Sequence, residues 1–170
     1  MPQLCPTQQR ALTELRAALA VSPITWLSSE RGAGRTTVLR QLCADLDGEF
    51  VPLANLVMQM RTANPLALEE MFERLISEAL FQYPAVVCDD VDLLQEVVDG
   101  CGSYPRTNWL AGTLQNCCDF AEKNGRRIIL GVQHPPATIR ARGYGVSLQE
   151  FTARSEEHTS ELQSPCNLVC

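Results

Sequence analysis

The chain has 170 residues, the length of one ordinary domain and enough to bury a core. Hydrophobic residues make up 45% and charged residues 20%, a globular balance that excludes wholesale disorder, and no apolar stretch reaches the length of a membrane helix. Fourteen Lys and Arg against 20 Asp and Glu leave a net charge of -6, which argues against non-specific binding to nucleic acid or to an anionic membrane.

The opening decapeptide, MPQLCPTQQR, is polar and lacks the apolar segment of a secretory leader, so a cytoplasmic location is expected. Thr7 to Ala20 then places Leu12, Leu15 and Leu19 on one face after Pro6, which predicts a helix. Ile24 to Ser28 is β-prone and passes through SERGAGRTT into VLRQLCADL, an amphipathic helix ending near Gly48. Trp26, within that strand, reads as core, with adenine stacking as the alternative.

Glu49 to Leu53 is a second strand candidate, and Met58 and Met60 beyond it read as core or loop packing. Leu66 to Leu80 predicts a strong helix, with Asn64 as N-cap and Pro65 at its first position. Pro84 to Asp90 is an apolar strand ending in two carboxylates, followed by a polar, turn-rich loop from Gly100 to Asn108. Trp109 to Lys123 predicts a helix closed by Asn124-Gly125, Arg127 to Val132 a buried strand, and Gly145 to Phe151 one more.

Strands alternating with helices predict an α/β doubly wound fold, with a parallel sheet of roughly five strands covered on both faces. Ligands of such sheets gather beyond the carboxyl ends of the strands, where both chemically interesting segments lie. The eight cysteines form no C-x-x-C pair, and His134 and His158 are not spaced to complete a zinc site. They read as buried or idle thiols of a reducing compartment.

The tail from Arg154, RSEEHTSELQSPCNLVC, has neither helical nor strand periodicity. Its first part resembles the translation of a sequencing-library adapter. Residues 154–170 are therefore expected to be an artefactual, unstructured tail, and residues 1–153 the folded domain.

The segment Ser29-Glu30-Arg31-Gly32-Ala33-Gly34-Arg35-Thr36-Thr37 joins a strand to a helix. Glycines let a backbone turn its N–H groups around phosphate oxygens, and a helix N-terminus adds partial positive charge. In the pattern G-x-x-x-x-G-K-[ST], the cation reaches the outer phosphates and the hydroxyl ligates Mg²⁺. Here Ser29 replaces the first glycine and Arg35 the lysine, while Gly34 and Thr36 are in place; the sole lysine, Lys123, lies far along the chain. Alone, such a turn could merely start a helix, and Asp89-Asp90 could be a solvated strand end. Their succession in strand order favours a nucleotide site, with Asp89 holding Mg²⁺ and Asp90 orienting water.

On these residues the chain resembles the AAA family of P-loop ATPases over nearly all of Met1 to Phe151. SERGAGRTT is similar to the family's nucleotide loop, AVVCDDVDLL to its acidic strand, and IILGVQHPP to the segment that senses the γ-phosphate, with Gln133 where Asn is usual. The resemblance implies that Arg31, Gly32, Ala33, Gly34, Arg35, Thr36 and Thr37 bind ATP, and that Thr36 and Asp89 hold Mg²⁺. It further implies catalytic roles for Asp90 and Gln133, with Arg140 and Arg142 as arginine fingers reaching a neighbouring subunit. Solvated loop arginines are the alternative reading of that pair.

A helical lid, missing here, a homo-oligomeric ring and remodelling of a protein partner are also implied. Tyr104 reads as part of a plain surface loop, with a pore residue of the family as the alternative. Arg35 keeps the charge of lysine but not its compact shape, and Asp90 is one methylene shorter than the usual Glu, so weak ATPase activity is expected. A non-hydrolysing nucleotide switch, or a scaffold with a degenerate P-loop, is the alternative.

Overall fold

Alternate residues of the strands face two apolar layers, one on each side of the sheet. A computed structural model describes residues 3–52, 55, 56, 58, 68–94 and 109–148. In it, helix α1 (Pro6–Val21) leads into β1 (Ile24–Ser28), followed by α2 (Arg35–Asp45) and β2 (Glu49–Val51). Next come α3 (Leu68–Gln82), β3 (Ala85–Cys88), α4 (Trp109–Lys123), β4 (Arg127–Val132), the short α5 (Ala137–Arg140) and β5 (Tyr144–Ser147). The strands form a sheet in the order β2-β3-β4-β1-β5, with every pairing parallel. The α/β doubly wound fold expected from the alternation is present, with five parallel strands.

Val86, Cys88, Ile128, Leu130 and Val132 face one layer, where they meet Phe72 and Ile76 of α3 and Leu114 and Cys117 of α4. Ala85, Val87 and Ile129 face the other, against Leu12 and Leu15 of α1 and Leu39 and Leu42 of α2. Burial on both faces explains why the central strands read as continuous apolar runs rather than as alternation. Trp26 packs at the edge of the first layer, and its indole lies against Gly145 of β5, where any Cβ would overlap it. This supports its reading as core.

The elements end within a few residues of the expected limits. Strand β5 runs Tyr144–Ser147 rather than from Gly145, because Tyr144 pairs with Thr25. Met58 departs from expectation: it is exposed while Leu56 is buried, since two residues along a helix point to opposite sides. Asn64, Pro65, Met60, Tyr104 and the 154–170 tail lie outside the described residues. No helix among the described residues is long and apolar enough to cross a membrane.

Cys43, Cys88, Cys117 and Cys118 are buried. Burial foremost raises Cys43 and Cys118 to about 11 and Cys117 to about 12 from an ordinary 9.0, and Cys88 rises further. The unfolded chain thus releases these protons first, so their contribution to stability is full below pH 9 and is lost as pH climbs through the folded values. The thermal midpoint is expected to fall as pH rises from 9 to 11, and Cys43→Ala to flatten part of that fall. Circular dichroism melts across the window check this; equal slopes for the two proteins would count against it.

Candidate phosphate-binding site

Strand β1 ends at Ser28 and the chain turns through Ser29–Gly34 into α2, as the sequence predicts. Gly32 and Gly34 carry φ of +90° and +85°, left-handed values that residues with a Cβ rarely adopt. Gly34 is the N-cap of α2, and the backbone N–H groups of Arg35 and Thr36 have no backbone acceptor among the described residues. Unpaired first-turn N–H groups and the helix dipole make this end attractive to an anion. The Ser29 hydroxyl, at the head of the loop, is buried without a hydrogen-bond partner among the described residues. An orphaned buried donor beside an open glycine turn fits a phosphate group. Arg31 and Gly32 are exposed, and Ala33 is buried under the loop.

Alternation along β3 sets Asp89 on the face of α2, the same face as Val87. Strand β4 lies between β1 and β3, and its Gly131 leaves the room that Asp89 uses: a Cβ there would overlap Asp89 Oδ1 and crowd Leu39. The Thr36 hydroxyl donates to Asp89 Oδ2 at 2.6 Å, so the two residues expected to hold Mg²⁺ meet. A hydroxyl beside a carboxylate suits a hard cation that prefers oxygen donors, and the pair fits Mg²⁺ in its chemistry.

Arg35 does not point along the loop. Its Nε donates to Asp89 Oδ1 at 2.8 Å and its Nη2 to Asp90 Oδ1 at 2.7 Å, while Nη1 lies 3.5 Å from Asp92 Oδ2. The Arg35 and Asp89 side chains are only 10% and 3% exposed, so this is a nearly buried ion pair; Asp90, at 54%, is wetter. Asp90 takes φ of +59°, a left-handed value that Asp tolerates better than most, and turns the chain out of the strand.

Sequence reasoning passed over three participants. Asp92 accepts the backbone N–H of Gln133 at 2.7 and 2.6 Å through its two oxygens, and that of His134 at 3.2 Å. Glu30 accepts from the Gln133 amide at 2.6 Å, tying the loop to the end of β4. Gln8 of α1 accepts the Cys5 N–H at 3.1 Å, and its Nε2 lies against Gly34. The S/T-x-x-E/Q type of helix start, here with Cys at the cap, was the available signal for Gln8.

The two expected arginine fingers part company. Arg140 is exposed at the end of α5. Arg142 is clamped onto α4, with Nη1 2.6 Å from Asp119 Oδ1 and Nη2 2.6 Å from Glu122 Oε2. The Glu122 hydrogen bond, foremost, holds its pKa above the ordinary value. A guanidinium so engaged is a structural clamp. Apart from these residues, a concavity of about 230 Å³ beside β5 is lined by Thr7, Arg10, Ala11, Glu14 and Ser147, and contains none of the expected site residues.

No protein-family model matches the chain, and no curated protein matches it. Solved structures do. A crystal structure of a DNA replication initiation factor aligns with a TM-score of 0.56 at 13% identity, over 95% of this chain and 52% of that one. AMPPCP-bound DnaA from Aquifex aeolicus aligns at 0.55 and 12%, over 96% and 55%, respectively. The Walker-type ATPase PABY2304 of Pyrococcus abyssi aligns at 0.56 and 14%, over 94% and 59%. The chain therefore shares their fold, and it spans little more than half the length of each.

Gly34→Ala is expected to cost about 1–3 kcal/mol through its left-handed backbone. Added Gln8→Ala should return only the part that arises from the clash with the Gln8 amide. Urea unfolding of the single and double variants measures both. Full recovery would mean that the backbone at Gly34 bears no strain.

Proposed function

We propose that the chain is an ATP-binding ATPase module of AAA type, acting in the cytoplasm as part of a homo-oligomeric ring that remodels a protein partner. The observation that carries this reading is the meeting of Thr36 and Asp89 at 2.6 Å, directly below a left-handed glycine loop on a P-loop fold. In this reading Ser29 Oγ and the N–H groups of Gly32, Gly34, Arg35 and Thr36 hold phosphate oxygens. Thr36 and Asp89 would hold Mg²⁺, which when bound supplies charge neutralisation on the phosphates. Asp90 orients the attacking water, and Gln133, which follows β4, would sense the outer phosphate once its amide leaves Glu30. Arg140 is the finger offered to a neighbouring subunit, whereas Arg142 holds α4 to the segment after α5.

Two of the structural relatives are named for DNA replication initiation or as DnaA. The net charge of -6 argues against tracking a phosphate backbone, which favours a protein partner. A second reading, a nucleotide switch that does not hydrolyse, is favoured by the docking of Arg35 on Asp90 and by the engagement of Gln133 with Glu30.

Calorimetric titration with ATP and Mg²⁺, paired with a phosphate-release assay, tests both readings. Binding is expected, with Thr36→Ala and Asp89→Asn each weakening it about tenfold or more. Phosphate release supports the motor, binding without release the switch, and no binding at millimolar ATP overturns both. In the motor reading, mixing Arg140→Ala with Thr36→Ala subunits should recover part of the lost turnover. Arg142→Ala should lower the melting temperature instead.

A further inference from the structure

We propose that the carboxylates of Asp89, Asp90 and Asp92 are intramolecular competitors of nucleotide phosphates for Arg35. Arg35 must leave a socket of three carboxylates before it can serve a nucleotide, so the chain holds its own loop in a low-affinity state. This rests on the nucleotide-binding reading and adds a regulation to the same site. The guanidinium spends Nε on Asp89, Nη2 on Asp90 and Nη1 on Asp92, one nitrogen for each acid. A lysine, with a single nitrogen on a flexible stem, cannot span that set, so the arginine is suited to the socket rather than to the loop.

The socket is also built to be vacated. With Arg35 withdrawn, Asp89 keeps the Thr36 hydroxyl at 2.6 Å and the Asp90 N–H at 2.9 Å. Asp92 keeps the N–H groups of Gln133 and His134, and Asp90, with 54% of its side chain exposed, keeps water. No carboxylate is left buried without a donor, which removes the largest penalty for breaking a buried ion pair. Phosphate oxygens and the aspartates thus compete for one cation. The apparent affinity is the intrinsic affinity reduced by the fraction of chains whose Arg35 is free. Because Asp92 holds both Arg35 and the Gln133–His134 turn that precedes α5, the exchange also loosens one tether of the segment bearing Arg140.

The test compares wild type, Arg35→Lys, Asp92→Asn and the double variant, by titration with ATP and Mg²⁺ and by melting without ligand. Arg35→Lys is expected to bind ATP about tenfold tighter while melting at a lower temperature, opposite signs that a purely structural arginine would not produce. Asp92→Asn, which keeps an acceptor for the Gln133 N–H, is expected to tighten binding in the wild-type background and to add little to Arg35→Lys. It also serves as the test if Arg35→Lys does not fold. Binding by wild type with no tightening in either variant overturns the competition and leaves the nucleotide reading standing. Equal tightening by Asp92→Asn in both backgrounds also overturns it, since that is a general charge effect. Failure of every protein to bind ATP overturns the nucleotide reading and the competition with it.

Discussion

The Arg35 guanidinium joins two strand ends that share no hydrogen bond. β4 separates β1 from β3 in the sheet, so the loop leaving β1 and the acids leaving β3 meet only through side chains that pass over β4. Arg35 and Thr36, at the first turn of α2, both reach Asp89, and Arg35 extends to Asp90 and Asp92. Well-packed apolar residues could match the stability of such a nearly buried pair. Its worth is therefore geometric. It fixes the height of the loop above the sheet, and through Asp92 it fixes the turn at Gln133 and His134.

Below that level lie the two apolar layers of the core. The two layers meet the sheet with apolar side chains on alternate residues, and the buried thiols are part of that packing. The polar cluster of the candidate site lies at the carboxyl edge of the strands, where ligands of parallel sheets gather. On the far side, Arg142 pins the segment after α5 to Asp119 and Glu122 of α4. The exposed Arg140 therefore sits on an anchored support rather than on a free loop.

Most of the fold was legible because the information is local. VV and IIL announce strands buried on both faces, and the leucine spacing of α1 announces its inner side. The loop was legible from Gly32, Gly34 and Thr36, and its partner from the acids that end an apolar strand. What sequence could not reveal was pairing across the sheet. Nothing near Gln8 or Glu30 signals that they meet Gly34 and Gln133, because those contacts join residues distant in the chain. Asp92 stands within the acidic motif, but the backbone N–H groups of Gln133 and His134 that it accepts carry no side-chain signature. Arg142 and Arg140 were indistinguishable as sequence; only the acids on α4 separate them.

Gly131 gives these arrangements an unusual dependence. Its backbone belongs to the ladder, paired with Leu27, while its missing side chain belongs to the site, as the gap through which Asp89 lies over β4. Sheet and site thus draw on different parts of one residue. A methyl group there would keep the strand's backbone partners and still push the acid away from α2, so the bridge across the sheet could be severed without opening the sheet. For the lineage of such a chain, position 131 is a point where binding chemistry and architecture meet. A descendant altered there would have to shift Leu39 of the core as well as Asp89, and what its loop can hold would change with them.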